Sequence, residues 1–209
     1  MDPEQSQPDR QPSTLDSVAA RKIALRDRLV TVRGRRPLVE VSEAARALAE
    51  HLLAAPEVQR AATVAAYVSV GTEPGTGPLL DRLVALGRRV VLPVVLPDLD
   101  LDWAVYDGPD SLVRARRGLL EPRGPRLGPE AVATADAVLT PGLAVDHDGR
   151  RLGQGGGCYD RALSRVPVGT FVCTLLYDDE LVDEVPAAEH DRPVTAAVTP
   201  SGLTRLRRA

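Results

Sequence analysis

The chain has 209 residues, of which 44% are hydrophobic and 26% charged, and its formal net charge is −3. These values are typical of one globular domain, and the net negative charge argues against a sequence-independent nucleic-acid binder. The two cysteines and three histidines are too few for a disulfide framework and make a poor zinc site.

The N-terminal segment lacks the apolar stretch of a secretory signal, and no apolar run approaches the ~18 residues that span a bilayer. We therefore expect a cytoplasmic protein that contacts neither membrane nor nucleic acid. Residues 1–14 are polar and rich in Pro and Gln, which predicts a disordered tail. Residues 15–209 are predicted to form a single domain.

Apolar residues at helical spacing predict a first helix over 17–33, with Ser17 as its N-cap and Gly34 after its end. Its predicted apolar positions are Val18, Ile23, Leu25, Leu29 and Val32. Further helices are predicted over 42–54, 79–86 and 159–165. Runs rich in β-branched residues predict six strands, over 63–69, 90–94, 101–106, 137–140, 170–176 and 196–199.

Strands that alternate with helices predict a three-layer α/β/α fold with a mainly parallel central sheet. Residues 107–128 and 141–157 are expected to be irregular. The loops after Ser69 and Thr140 both follow strand carboxyl ends, where ligands bind in such sheets. We therefore expect these two loops to face the same crevice.

One residue stands out by composition, because Lys22 is the sole lysine among 26 basic residues. An ammonium group is a compact point charge that a guanidinium does not always replace. Lys22 is thus a candidate for a role that needs lysine, with chance as the alternative.

Four glycines fall within five positions at Gly153, Gly155, Gly156 and Gly157. Backbone without Cβ atoms can approach a phosphate closely and direct N–H groups at it. The segment lacks the lysine of a Walker loop and the spacing of a dinucleotide fingerprint. It is predicted to bind phosphate, and a flexible surface loop is the alternative.

The segment Arg151-Leu-Gly-Gln-Gly-Gly-Gly-Cys-Tyr-Asp-Arg161 resembles the signature of 5-formyltetrahydrofolate cyclo-ligases. Other parts of the chain resemble the same family in the same order, and these are Lys22-Ile-Ala-Leu-Arg26, Tyr67-Val-Ser-Val-Gly-Thr-Glu73, Gly118-Leu-Leu-Glu-Pro122 and Pro186-Ala-Ala-Glu-His-Asp191. The resemblance runs from Lys22 to Thr199.

The resemblance implies ATP-dependent cyclisation of 5-formyltetrahydrofolate to 5,10-methenyltetrahydrofolate, with release of ADP and phosphate. The formyl oxygen attacks the γ-phosphate, and the second folate nitrogen then displaces the phosphate. The protein contributes positioning and charge stabilisation. Implied ligands are ATP, Mg²⁺ and the folate, which could carry a polyglutamate tail. A monomer or small homo-oligomer is expected.

The resemblance also implies residue roles. The implied catalytic residues are Arg26, Glu73, Gln154 and Tyr159. The implied nucleotide-binding residues are Lys22, Arg26, Arg151, Leu152, Gly153, Gln154, Gly155, Gly156, Gly157, Cys158 and Tyr159. The implied folate-binding residues are Val68, Glu73, Gln154, Gly155, Gly156, Gly157 and Cys158. The implied magnesium ligands are Asp160 and Asp191.

Several of these residues have structural alternatives. Glu73 could be an exposed turn carboxylate, Asp160 could interact with a helix N-terminus, and Tyr159 could stack on a ligand or pack in the core. Trp103 and Cys173 are expected in the core. His190 is expected to order the C-terminal loop.

The chain departs from the family pattern at Gln154, where a basic residue is usual, and at Cys158, where tyrosine is usual. Arg150, Arg151 or Arg161 could compensate for the lost charge. Further departures are Val145 for Phe, Glu180 for Gln and Thr195 for Asp. The alternatives to an active cyclo-ligase are a weakly active or inactive paralogue that senses folate or nucleotide, and another ATP-dependent acyl-activating enzyme.

Overall fold

The computed structural model describes residues 14–188 and 191–207. The predicted disordered tail therefore lies outside the described residues, apart from Thr14, and so does His190. Within the described ranges, no helix is both long and apolar enough to cross a membrane.

The helices are α1 Thr14–Arg33, α2 Leu38–Ala54, α3 Pro56–Arg60, α4 Gly77–Ala85 and α5 Cys158–Leu163. The first six strands are β1 Thr63–Ala65, β2 Arg89–Val95, β3 Leu101–Val105, β4 Leu112–Arg114, β5 Leu120–Pro122 and β6 Ala137–Pro141. The others are β7 Ala144–Asp146, β8 Arg151–Leu152, β9 Phe171–Leu175, β10 Leu181–Val182, β11 Ala196–Thr199 and β12 Gly202–Arg205.

Seven strands form the central sheet in the order β12-β11-β9-β6-β1-β2-β3. The five inner strands, from β11 to β2, are parallel, and the edge strands β12 and β3 pair antiparallel. The predicted mainly parallel α/β fold is confirmed. Because β1 and β6 are parallel neighbours, the loops that follow them emerge at one edge of the sheet.

The two faces of the sheet are covered by different helices. Along β6, Ala137 and Leu139 pack with α2 and α4, whereas Val138 packs on the opposite face against α5 and the short helical segment Pro129–Thr134. This alternation follows from the two-residue period of a strand. The predicted core residues Trp103 and Cys173 are both buried.

Helix α1 lies against the small sheet β10-β7-β8 rather than against the central sheet. Leu29 is buried there, but the predicted apolar positions Ile23 and Val32 are 54% and 36% exposed. That part of the prediction was wrong, because Lys22 and Arg33 occupy inward positions of the helix. Apolar spacing alone did not reveal a helix face that carries buried cations.

Other boundaries also differ from the predictions. Residues 141–157 contain strands β7 and β8, and residues 107–128 contain the hairpin β4–β5. These strands are two or three residues long and show no period-2 pattern long enough to detect. Helix α1 extends before Ser17, α2 begins four residues before 42, and β1 stops at Ala65.

Candidate active site

A cavity of about 610 Å³ opens at the carboxyl ends of the parallel strands. Its walls come from α1, the loop after β1, the hairpin β4–β5, the glycine segment and residue 191. It brings together all of the predicted site residues, which are Lys22, Arg26, Val68, Glu73, Arg151 to Asp160, and Asp191. The expectation that the loops after β1 and β6 face one crevice is confirmed, while the individual roles remain predictions.

Helix α1 directs two cations into the cavity from one face, as their four-residue spacing predicts. The ammonium of Lys22 lies 2.5 Å from Asp191 Oδ2, and both side chains are largely buried. Arg26 donates from Nε to the carbonyl of Gly153 at 3.1 Å. Among the described residues, Arg26 has no carboxylate within ion-pair distance, so its charge is available to an anionic ligand.

The glycine segment connects β8 to α5 and requires glycine at two positions. Gly155 and Gly157 have φ angles of +98° and +65°, which L side chains rarely adopt. A Cβ atom at Gly155 would lie 3.4 Å from Nη2 of Arg26. The backbone and the Arg26 guanidinium are therefore in close contact, as expected of a segment that holds an anion between N–H groups and a cation.

Arg151 is buried at the base of the glycine segment. It donates to the carbonyl of Pro141 and forms an ion pair with Asp160, both at 3.2 Å, and its guanidinium lies 5.8 Å from the ring centre of Tyr159. Tyr159 lines the cavity and also packs against the core. Packing in the core is therefore confirmed, and stacking on a ligand stays a prediction.

Asp160 and Asp191 both line the cavity. Asp160 accepts a hydrogen bond from the backbone amide of Arg192, the residue after Asp191. The described residues contain no cluster of three or more acidic, histidine or cysteine side chains that could hold a metal. Magnesium typically uses one or two protein carboxylates with phosphates and waters, so this pair of carboxylates fits a nucleotide-bound Mg²⁺.

Glu73 follows β1 and is largely buried in the cavity wall, where burial raises the pKa of its carboxyl. Its Oε2 accepts the backbone amide of Val70 at 2.9 Å, which leaves the other oxygen for a ligand. The adjacent Tyr67 is buried, and burial raises the pKa of its phenol as well. The exposed-turn alternative for Glu73 is therefore wrong.

The substitution Glu73→Gln should separate stability from folate binding. Because the folded-state pKa of Glu73 lies above that of the unfolded chain, its carboxylate opposes folding at neutral pH. This cost appears as pH rises through the unfolded-state pKa and is complete above the folded-state pKa. We expect a free energy of unfolding no lower than that of the wild type at pH 7, measured in urea.

The same variant should bind folate about 10- to 100-fold more weakly, because a hydrogen bond to a carboxylate is lost. Calorimetric titration at several pH values provides the measurement. As the pH is lowered, the wild type should begin to lose folate affinity at a higher pH than it would if Glu73 were exposed, because the pKa of this carboxyl is raised. An unchanged affinity in Glu73→Gln would show that Glu73 does not bind folate.

The apolar part of the cavity was not predicted from the sequence. This part comes from β2, β3, the turn between them and the hairpin β4–β5, and its residues are Pro93, Val95, Leu99, Leu101, Leu119 and Leu120. The sequence signal for this part is the Gly118-Leu-Leu-Glu-Pro122 element, which resembles the family pattern and includes Leu119 and Leu120. Glu121 holds this hairpin on the sheet by accepting the amide of Val95.

The structure narrows the candidates that compensate for Gln154. Arg150 pairs with Asp146 and Asp148, and neither it nor Arg161 lines the cavity. Arg161 contacts the glycine segment through the carbonyl of Gly156, and Arg151 is paired with Asp160. Compensation by any of these three arginines stays a prediction. The cation beside Gln154 is Arg26, which contacts the residues before and after it.

Restoring a cation with Gln154→Arg should change kcat/KM for ATP by less than about fivefold. Gln154 is exposed, where an added charge contributes about 0–1 kcal/mol, and Arg26 already provides a charge at the same loop. Arg26→Gln should lower kcat/KM about 100-fold. Steady-state kinetics on both variants measures the contrast, and a large gain in Gln154→Arg would show that Arg26 does not compensate.

Comparisons with known proteins agree with this fold and cavity. The model of the 5-formyltetrahydrofolate cyclo-ligase family matches residues 18–200. A 5-formyltetrahydrofolate cyclo-ligase of Mycolicibacterium smegmatis is 48% identical, covering 69% of this chain and 77% of that one. One from Escherichia coli is 36% identical, with coverage of 73% and 86%.

Among solved structures, the NMR structure of Aquifex aeolicus 5,10-methenyltetrahydrofolate synthetase has a TM-score of 0.77 at 28% identity. It covers 90% of this chain and 94% of that chain. Fold, cavity and relatives together define an ATP-dependent ligase. The chain belongs to the 5-formyltetrahydrofolate cyclo-ligase family.

Proposed function

We propose that the cavity is where the chain converts 5-formyltetrahydrofolate and ATP to 5,10-methenyltetrahydrofolate, ADP and phosphate. The observation that supports this proposal is that one cavity combines a glycine segment flanked by cations with an apolar wall and the partly buried carboxylate of Glu73. The glycine segment suits a triphosphate. The apolar wall and the carboxylate suit an aromatic ring system with N–H donors. The relatives give no support to a sensor or to a different acyl-activating enzyme.

In this proposal Lys22 and Arg26 bind the phosphates together with the backbone N–H groups of the glycine segment. Their positive charge stabilises the charge on the transferring phosphoryl group. Glu73 accepts hydrogen bonds from the pterin and fixes the orientation of the formyl group. Tyr159 and Val68 pack against the bound substrates and keep water from the phosphorylated intermediate.

Asp160 and Asp191 are the proposed magnesium ligands, because both line the cavity next to the phosphate-binding residues. The ion would neutralise phosphate charge. To bind it, Asp191 and Asp160 must weaken their ion pairs with Lys22 and Arg151. Nucleotide phosphates then provide new partners for Lys22 and Arg151.

A polyglutamate tail on the folate could bind to a group of exposed arginines next to the apolar wall. Arg114 is paired across the hairpin β4–β5 with the cavity residue Leu120. The exposed arginines of this region have no ion-pair partner among the described residues, and they are Arg114, Arg116, Arg123 and Arg126. A chain of carboxylates would supply the missing counter-charge.

The variant Arg114→Gln/Arg116→Gln tests this tail site. We expect its affinity for the pentaglutamate to fall about 3- to 10-fold, because each surface charge pair contributes about 0.2–1 kcal/mol. Affinity for the monoglutamate should change less than twofold. Arg89→Gln, an exposed arginine outside the cavity, is the control, and equal losses for both folates would contradict a tail site.

The reaction is tested by following the absorbance of the methenyl product after mixing protein, 5-formyltetrahydrofolate and Mg-ATP. Product formation that requires all three components supports the proposal. Absence of product despite measurable ATP binding would contradict it.

We further propose that the enzyme is cytoplasmic, because ATP is supplied there, and that it is a monomer or small homo-oligomer. Light scattering of the purified chain measures the second property.

A further inference from the structure

Leu99 has a backbone conformation that its side chain disfavours. Its φ angle is +67°, and it is the one non-glycine residue with positive φ in the described ranges. A left-handed conformation costs a residue with a Cβ atom about 1–2 kcal/mol. Such outliers concentrate at functional sites, where surrounding structure enforces them.

The position of Leu99 in the β2–β3 hairpin makes leucine an unusual choice. The amide of Leu99 donates to Leu96 at 3.0 Å, across Pro97 and Asp98, and the amide of Leu96 donates to Asp100 at 2.9 Å. A turn followed by one left-handed residue is a common three-residue hairpin loop, in which that last position favours glycine. The turn itself therefore gives no reason for leucine.

The side chain of Leu99 supplies that reason, because it lines the cavity. It continues the apolar wall that Val95 and Leu101 form on the paired ends of β2 and β3. Replacing it by glycine would relax the turn but leave a gap in this wall. The preference of this turn position for glycine is therefore outweighed by the contribution of leucine to the cavity wall.

The turn is fastened to the glycine segment by Arg161. Its Nη2 donates to the carbonyl of Leu99 at 2.7 Å and to the carbonyl of Gly156 at 3.1 Å. Four residues later, Arg165 holds Asp100 through two hydrogen bonds of 2.9 and 2.6 Å. The strained turn and the proposed phosphate-binding segment are therefore connected through Arg161.

We propose that Leu99 is a folate-contacting specificity residue, and that Arg161 is the positioning residue that holds it in place. Leu99 packs against the aromatic ring system of the folate, and its apolar neighbours favour this ligand over the phosphates. Arg161 acts through Leu99 and Gly156, since it does not line the cavity. The inference rests on the proposed placement of folate in this cavity.

The variants Leu99→Ala and Leu99→Gly test the contact. Calorimetric titration should show about tenfold weaker binding of 5-formyltetrahydrofolate to both, because the buried apolar area is lost. Binding of ATP should change less than twofold. The control Leu86→Ala removes a 58% exposed leucine outside the cavity and should leave both affinities unchanged.

Thermal unfolding tests the strain. Leu99→Gly should melt about 2–4 °C above Leu99→Ala, because glycine accepts the left-handed conformation and alanine does not. Equal melting temperatures would overturn the claim that strain is stored here. This comparison needs no ligand, so it stands apart from the binding result.

A double-mutant cycle tests the role of Arg161. Arg161→Met should weaken folate binding, and Leu99→Ala/Arg161→Met should bind folate no more weakly than the weaker single variant, because the two residues act together. Additive losses would overturn the positioning role. The control Arg205→Met breaks an exposed ion pair with Glu57 and should not affect folate binding.

The outcomes also separate this inference from the proposed function. Unchanged folate affinity in both Leu99 variants, with a wild type that binds folate, overturns the contact alone. A loss of affinity for ATP alone also overturns the folate contact, since Leu99 would then contact the nucleotide. A wild type that binds ATP but no folate overturns both proposals.

Discussion

Lys22→Ala should lower kcat/KM for ATP by about 10²–10³-fold, the range observed when one charge-stabilising donor is removed from an active site. The side chain of Lys22 is 17% exposed and has Asp191 as its partner, so its removal leaves a largely buried carboxylate beside the phosphates. Like-charge repulsion then adds to the lost attraction. Stopped-flow measurement of methenyl product over a range of ATP concentrations gives the effect.

The adjacent Arg21 provides a matched control on the same helix. Arg21 is more than half exposed and pairs with the exposed Glu184, so Arg21→Ala should change kcat/KM less than twofold. Lys22→Arg should recover little of the activity, because a planar guanidinium does not reproduce a compact ammonium within a closed ion pair. Full activity in Lys22→Arg would show that the sole lysine is there by chance.

Part of this site follows from the sequence because Arg151 to Asp160 form one contiguous segment. Gly155 and Gly157 have a left-handed backbone conformation that few residue types allow, and the glycine-rich composition reveals the segment that contains them. Lys22 and Arg26 share a helix face by spacing alone. The parallel order of β1 and β6 then brings the loop with Glu73 to the same edge of the sheet.

The apolar wall could not be predicted in the same way. Leu99, Leu101 and Leu119 look like ordinary core or turn residues in the sequence, and the cavity brings them together only through tertiary pairing. Strands β7 and β8 are too short for a periodic signal. The exposed side of α1 was misassigned for a related reason, since charged residues that are buried by pairing carry no hydrophobic pattern.

Arg33 and Glu180 are the clearest case of such pairing. Their side chains are 2% and 1% exposed, and Nε of Arg33 lies 2.6 Å from Oε1 of Glu180. Arg33 also donates to the carbonyl of Gly142 at 2.5 Å, and Glu180 accepts the amide of Tyr177 at 2.9 Å. The pair therefore fastens the end of α1 to the loops after β6 and β9.

Glu180→Ala should destabilise the protein by about 3–5 kcal/mol, because it leaves the buried Arg33 guanidinium without its counter-charge. The expected fall in melting temperature is on the order of 10 °C for a chain of this size. Urea unfolding followed by circular dichroism measures the free energy. As a control, Glu57→Ala breaks the exposed pair with Arg205 and should cost about 1 kcal/mol or less.

Glu180→Gln distinguishes charge from hydrogen bonding at the same position, where the family often has glutamine. The amide oxygen can still accept from the amide of Tyr177, but the charge opposite Arg33 is lost, so we expect an intermediate loss of stability. Because Arg33 contacts Gly142, which lines the cavity, kcat/KM should fall together with stability. A glutamine variant as stable as the wild type would show that hydrogen bonds, rather than the charge of Glu180, hold α1 and its cations at the cavity.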